Sequence, residues 1–384
     1  MIDKGGKFMN LKEFVDEHIN EIQKDKITNI TRHKIKYISD YINNWLYVVE
    51  NHPESKCINF IDCMCNAGIY NDGTLSTAIE VLKLFKIHSI NHPEKIYNLF
   101  LNDIDSSRIK VIEQLIQKLN IDAANIKVYY DNMDVNTYLK SFEKYSQNFI
   151  FGSYSVLFVD PYDFGTVNVS LIRNFSERYY TETIFNYFSS DYRRNIHNAT
   201  AENKIEKIKK SLVGVLEYKE TMSDEGVLKV IQDYFKTSKI KYSFAYPFKT
   251  KTNVVLYSIV YSTPHLKGLE KIKDSIWKTF DGKEFYKNED ESEKYQLALF
   301  DDEEMTINYY SLECKKMILE KFNKQRVKFD EIKEFVLENT MLKSGHIIQY
   351  VIKPLIEEGK MVKANKLGPK KYIGDDYTVG AYDE

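Results

Sequence analysis

The chain has 384 residues, a formal charge of −2 and four cysteines. That length holds one large domain and a small one, and a near-neutral balance excludes an overall basic polymer-binder while leaving room for a local basic patch. Cys57, Cys63, Cys65 and Cys314 give neither a disulfide framework nor a paired C-x-x-C zinc pattern, so a reducing cytoplasm is expected. The N-terminus lacks a signal-like apolar core and no run of about 18 apolar residues occurs, so a soluble protein is expected.

Residues 11–50 read as helices. The better one, HKIKYISDYINNWLYVVEN, spaces Ile35, Ile38, Ile42, Trp45 and Val49 by three and four and ends at His52-Pro53. Alternating units follow: strand 56–62, helix 74–86, strand 96–102, helix 106–119, strand 126–131, helix 135–144, strand 155–160, a helix near 168–177, the strand TETIFNYF, and helices through about 236. Such βαβ units have right-handed crossovers, which leaves little topological freedom. YSFAYPF and NVVLYSIVYS are separated by only Lys249 to Thr252, too short for a parallel crossover, so they are expected to be antiparallel. The expected fold is α/β, a Rossmann-like sheet of the class I methyltransferase type with a closing antiparallel hairpin.

Periodicity fades in the acidic stretch 288–305, which reads as a linker between a domain at 31–287 and a module at 306–384; residues 1–30 read as a helical extension. In the module, FDEIKEFVLEN (Asp330 as cap), the helix from Ser344 to Gly359, and a hairpin MVKANKLGPKKYI turning around Leu367 to Pro369 predict a winged helix-turn-helix.

Four strands end in acids: Asp62, Asp103, Asp134 and Asp160. In an open parallel sheet those ends share one edge, where ligands bind at the switch point. The loop Asp62-Cys-Met-Cys-Asn-Ala-Gly68 follows the first strand, and Gly68 permits close approach of backbone to a ligand, although with only one glycine the loop read alone favours an ordinary strand-to-helix turn. Asp103 is placed to accept both hydroxyl hydrogens of a ribose; capping or facing water is the alternative. Asp134 with Met133 would meet an adenine amine and ring, unless Asp134 caps the next helix. Asp105 reads as a helix start. Asp160-Pro161-Tyr162 is the sharpest signal: a carboxylate to accept from an amine, a proline to fix the loop, and a ring to stack on a base, against the alternative of a strand-end turn. Arg193 and Arg194 lie beyond the fifth strand and either meet phosphate or are solvated. Lys353, Lys360, Lys363, Lys366, Lys370 and Lys371 face few acids, chiefly Glu357 and Glu358, and suit nucleic-acid phosphates, although winged helices also dock proteins.

From HKIKYISDYINNWL through FIDCMCNAGIYNDG and LFVDPYDFG to YSIVYSTPHLKGLEKIKDSIWKTF and the C-terminal module, the chain resembles the three-Cys-motif partner (TcmP) family. The resemblance implies a class I methyltransferase fold with a C-terminal winged helix and a phage-type partner protein bearing a three-cysteine motif. Where that family carries Phe-Ala-Gly-Pro-Gly after the strand-end acid, this chain has Met64, Cys65, Asn66, Ala67 and Gly68, while Asp62, Tyr70, Asp72 and Gly73 remain. Asn66 would then have to adopt the positive φ that glycine adopts freely.

The first functional reading is an S-adenosylmethionine-dependent methyltransferase acting on a nucleic-acid or nucleobase amine. Asp62 and Gly68 line the methionine end, Asp103 holds ribose, Asp134 with Met133 holds adenine, and Asp160, Pro161 and Tyr162 receive the acceptor; no metal is expected. The second is a non-catalytic nucleotide sensor or docking partner, favoured by the altered loop. The third is a Mg²⁺-dependent nuclease built on the four strand-end acids.

Overall fold

The computed structural model describes residues 11–22, 27–121, 123–162, 165–188, 206, 210–212, 224–250, 255–282, 285–287, 303–365 and 376–380. It divides into two compact units, Met1–His265 and Leu266–Glu384, each described by itself.

In the first unit, α1 (Leu11–Glu17) precedes α2 (Asn29–Glu50), which is capped where the Thr28 hydroxyl accepts from the Thr31 N–H at 3.2 Å. α2 buries Ile30, Lys34, Ile38, Tyr41, Trp45 and Val49 along one face. A boundary at residue 30 would cut its first turn. The alternating units follow: β1 (Cys57–Asp62), α3 (Thr77–Asn91), β2 (Ile96–Asn102), α4 (Ser106–Leu119), β3 (Ile126–Asp131), α5 (Val135–Ser141), β4 (Ser153–Val159), α6 (Val169–Tyr179), β5 (Glu182–Tyr187), α7 (Asp224–Phe235), β6 (Tyr242–Thr250) and β7 (Val255–Thr263). The helix expected over 135–144 stops at Ser141 and continues as a 3-10 turn, Phe142–Asn148. There Phe142 is drawn into an aromatic cluster, with ring centroids 5.3 Å from Phe100 and 4.9 Å from Phe175.

The seven strands of this unit run in the order β3-β2-β1-β4-β5-β7-β6. β1 pairs in parallel with β2 and β4, whereas β7 is antiparallel to both β5 and β6; β6 runs on through Lys249 and Thr250, which the sequence placed between the two strands, and residues 251–254 lie outside the described residues. The order reverses between β1 and β4, and Asp62 stands opposite Leu101 of β2 and Phe158 of β4. Ligand crevices of open α/β sheets form at such a reversal.

Strands covered on both faces must satisfy every polar side chain internally. Asn98 donates to Asn59 at 2.8 Å and Asn59 donates to Ser155 at 3.0 Å, a ladder running across β2, β1 and β4. Buried Glu182 of β5 accepts from the Trp45 indole at 2.9 Å and from the hydroxyls of Tyr41 and Tyr261. Burial raises its carboxyl above the ordinary value, and these donors oppose the shift. Tyr41 and Trp45 belong to α2, so Glu182 fixes that helix against the sheet.

The second unit begins with α8 (Leu266–Phe280) and continues through β8 (Phe285–Lys287), α9 (Glu303–Lys321), β9 (Arg326–Lys328), α10 (Phe329–Asn339), a helical stretch from Ser344 to Glu357 that is π-helical over Ile347–Ile352, β10 (Met361–Asn365) and β11 (Asp376–Val379). β11 lies between β10 and β9, antiparallel to both. Lys328 rather than Asp330 occupies the cap of α10, and Asp330 sits in its first turn, where a carboxylate favours the positive helix end. Gly359 ends the helical stretch at φ +67°. The expected hairpin turn at 367–369 lies outside the described residues, and the strand that pairs with β10 is 376–379.

α8, placed by the sequence within 31–287, groups instead with the C-terminal elements. Its Trp277 indole donates to the Met341 carbonyl at 2.8 Å, its Glu270 accepts from Ser344 at 3.0 Å, and Trp277 packs in one core with Ile332, Leu342 and Val351. Residues 303–305, expected at the end of the linker, already belong to α9. No helix among the described residues is long and apolar enough to cross a membrane.

Glu182→Ala should destabilise the protein by roughly 3 kcal/mol or more in denaturant titrations, because each buried donor left unpaired costs about 1–3 kcal/mol. Tyr261→Phe, which removes a single donor and preserves shape, should cost less than half as much.

Candidate functional site

The site is assembled where β1, β2 and β4 end. Asp62 is 2% exposed, and its Oδ1 accepts from the Met64 N–H at 3.1 Å. Burial, reinforced by the nearby charges of Asp160 and Asp103, pushes its carboxyl up to about 8. Burial likewise raises the thiols of Cys63 and Cys65, which are packing residues.

Asn66 lies at φ +59°, as its place in the loop requires, and Gly68 at φ +80°. A Cβ on Gly68 would come within 2.7 Å of Ile112 Cγ1, so this glycine is demanded by close packing of the loop on α4. The Asp103 carboxylate accepts two backbone N–H groups, Asn66 at 3.1 Å and Asp105 at 2.9 Å. It thereby ties the loop after β1 to the end of β2, and each of its oxygens retains capacity for one more donor. Asp105 caps α4 by accepting from Ser107 N at 2.8 Å.

Asp134 caps α5, its Oδ1 accepting from Asn136 N at 3.0 Å and Thr137 N at 3.2 Å. The backbone of Met133 is gripped by the Asn102 side chain, which donates to its carbonyl and accepts from its N–H, both at 3.0 Å. Asn102 had no signal in the sequence beyond its position before Asp103.

Asp160 is held by a residue from far upstream. Lys34 of α2 places its ammonium 2.8 Å from Oδ1 and 2.6 Å from Oδ2, and Asn186 of β5 donates to Oδ1 at 2.8 Å. The Lys34 residue is only 9% exposed, whereas the Asp160 side chain is 23% exposed. The ammonium also lies 5.7 Å from the centre of the Tyr257 ring. Asn186 is buried, and among the described residues its Oδ1 has no hydrogen-bond partner. Because its amide nitrogen must face the Asp160 carboxylate, the orientation of this unfilled acceptor is fixed. The sequence signal for Lys34 is its spacing: with Ile38, Tyr41 and Trp45 it completes the buried stripe of α2.

Pro161 is buried and Tyr162 is 51% exposed. The Tyr162 hydroxyl donates to Asn66 Oδ1 at 2.8 Å and accepts from Arg108 Nη1 at 2.7 Å, so side chains from the loops after β4 and β1 and from the first turn of α4 form one strap. Asp62, Asp103 and Asp160 lie at neighbouring strand ends, and Asp134 caps its helix through Oδ1. Among the described residues no three His, Cys, Asp or Glu side chains gather as a metal-ligand set, so the strand-end acids do not form the cluster a Mg²⁺ nuclease needs.

In the second unit Lys353 and Lys360 are exposed and Lys363 is half-buried. Lys360 pairs with Glu358 at 2.8 Å and Lys315 reaches the same carboxylate at 2.9 Å. Hydrogen bonds from these two lysines pull Glu358 down to about 2. Lys366, Lys370, Lys371, Arg193 and Arg194 lie outside the described residues.

No protein-family pattern matches the chain, and no curated protein does. Among solved structures it is similar to magnesium protoporphyrin IX methyltransferase from Synechocystis, solved with bound SAH, at 9% identity and TM-score 0.32, covering 66% of this chain and 96% of that one. It is also similar to the methyltransferase subunit of a type I restriction-modification system from Streptococcus thermophilus, at 9% identity and TM-score 0.30; the match covers 59% of this chain and 43% of the subunit. The fold assignment stands on the strand order rather than on these likenesses. The sheet is mixed α/β and Rossmann-like.

Asp62 generates a test by pH. Its folded-state carboxyl is raised, so the folded protein binds this proton more tightly than the unfolded chain, and its contribution to stability is lost as pH rises from the ordinary 3.8 through about 8. Asp62→Asn should abolish that loss. The variant should gain on the wild type across this window, by an amount on the order of a few kcal/mol, since one pKa unit corresponds to about 1.4 kcal/mol. Parallel melting curves for the two proteins would show the idea wrong.

Proposed function

We propose that the chain is an S-adenosylmethionine-dependent methyltransferase acting on an amine. The observation that carries this reading is the reversal of strand order between β1 and β4, with three carboxylates at adjacent strand ends and a seventh strand antiparallel in the sheet. The residues fit the cofactor. Asp103 keeps acceptor capacity on both oxygens for ribose hydroxyls, Asp134 keeps its Oδ2 and stands beside Met133 for the adenine, and the Asp62–Gly68 loop lines the methionine end. When bound, S-adenosylmethionine supplies a methyl group that its sulfonium has already activated. The chain's own contribution is positioning: Asp160, held in orientation by Asn186, accepts from the acceptor amine, Pro161 fixes the loop, and Tyr162 presents a half-exposed ring.

Nucleic acid is the proposed source of the amine, supported by the exposed Tyr162 ring and by the basic side chains Lys353, Lys360 and Lys363. A winged helix for the C-terminal elements accords with α10, the 344–357 stretch and the β10-β11-β9 sheet. The family resemblance supplies the proposed partner, a phage-type protein with a three-cysteine motif, and buried free cysteines accord with a cytoplasmic setting.

A second reading, a non-catalytic docking or sensing protein, is favoured by one observation: the chain's own Lys34 already occupies Asp160, and Arg108 and Asn66 already occupy Tyr162.

Calorimetry with S-adenosylmethionine separates the two. Saturable binding is expected, with Asp103→Ala weakening it by roughly 1.5–3 kcal/mol, the worth of hydrogen bonds to a charged group. Absence of binding at millimolar cofactor would favour the docking protein. Asp160→Ala should lose methyl transfer while retaining cofactor affinity, because its carboxylate acts only at the acceptor. If nucleic acid is the substrate, affinity of the full chain should fall steeply with salt, and removing the charge of Lys353 or Lys363 should flatten that slope.

A further inference from the structure

Helix α9 carries two rows of side chains at the same spacing, and only one of them is buried. Ile307, Ser311, Cys314 and Ile318 face inward, three of them in the core that also holds Trp277 and Val351. Met305, Tyr309 and Leu312 form the second row, set two residues earlier and therefore about 200° around the helix axis. They are 62%, 60% and 54% exposed. Tyr309 meets the Tyr310 ring edge-on at 5.4 Å between centroids and still remains largely in water. A helix that covers a core with one face ordinarily turns polar residues outward on the other, so a large apolar row directly opposite the buried one calls for a cover of its own. Exposed Lys316 continues this outward row by one more step of four, and Glu303 and Glu304 stand in the first turn of the helix. The row therefore runs from acid at its start to base at its end.

We propose that this face of α9 is a dimer contact and that its occupant is the same helix of a second copy of the chain, antiparallel, about a two-fold axis between Tyr309 and Leu312. The charges select both partner and direction. Antiparallel pairing sets the acidic first turn of each helix against Lys316 of the other, twice by symmetry, whereas parallel pairing would set acid on acid and base on base. With the axis in that place, Tyr309 of each copy packs on Leu312 of the other, and Met305 lies under the carbon stem of Lys316. Glu313 and Glu320 stand to one side of the row and limit its strength. The contact is confined to one helix face, so a dissociation constant in the micromolar range is expected. None of this depends on the methyltransferase reading.

Sedimentation equilibrium of the full-length chain tests the contact. The wild type should show a reversible monomer–dimer equilibrium. Leu312→Glu, a change at an exposed position, should weaken it at least about tenfold while leaving the circular dichroism spectrum unchanged. Glu304→Lys and Lys316→Glu should each weaken it as well, because each sets like charges together at both ends of the contact. An equimolar mixture of those two variants should dimerise again, since every end then pairs an acid with a base. A wild type that stays monomeric to millimolar concentration would overturn the proposal and leave the row to a different protein. A Leu312→Glu dimer as tight as the wild type would place the contact elsewhere and overturn it too, as would charge variants that associate like the wild type or a mixture no tighter than its separate components.

Discussion

Three carboxylates at the ends of three adjacent parallel strands cannot all remain ionised in a buried place without compensation, and the surrounding structure is arranged around that constraint. Each acid meets it differently. Asp103 is compensated by two backbone N–H groups, Asp160 by the Lys34 ammonium and the Asn186 amide, and Asp62, with a single N–H, by keeping its proton. The first solution fastens the loop after β1 to β2. The second draws α2 across to the end of β4, and the third leaves a neutral carboxyl at the point where the strand order reverses. Removing the charge of Asp160 or Asp103 would lower the cost of ionising Asp62, because both raise its carboxyl.

α2 is consequently more than a cover for one face of the sheet. It reaches the sheet through three polar fastenings: Lys34 to Asp160 at the strand ends, Tyr41 with Trp45 to Glu182 at the start of β5, and Glu50 to the Tyr97 hydroxyl of β2. Apolar burial alone is non-directional and would tolerate a helix sliding along its axis, whereas these fixed hydrogen-bonded points define its register. The Asn98–Asn59–Ser155 ladder does for the strands what these fastenings do for the helix.

The strands and most crossovers were legible in the sequence because short apolar runs ending in acids have a period and a punctuation of their own. The four candidate acids were legible for the same reason, by position. Their partners were not. Lys34 is separated from Asp160 by 126 residues and Asn186 from it by 26, and no local pattern joins residues that only the strand order brings together. A lysine on an apolar helical stripe, and an asparagine and a glutamate inside the apolar strand Glu182–Tyr187, were the available signs that polar networks lay beneath. The division at Leu266 was hidden because α8 follows β7 after only two residues, Pro264 and His265, and its allegiance is decided by the contacts of Glu270 and Trp277 further on.

Asn66 shows how a departure from a glycine pattern can be constructive. A non-glycine residue in the left-handed region costs roughly 1 kcal/mol, and asparagine is among the few that go there readily. What the side chain returns is a hydrogen bond: Asn66 Oδ1 accepts from the Tyr162 hydroxyl, which Arg108 also holds. Glycine at the same φ would leave the loops after β1 and β4 unjoined. The backbone N–H of Asn66 meanwhile serves Asp103, so one residue connects the ends of three strands, β2 through its main chain and β4 through its side chain, from its own place after β1. A loop with that many fixed contacts is pre-organised, and a ligand entering the crevice would find its backbone already in position rather than having to order it.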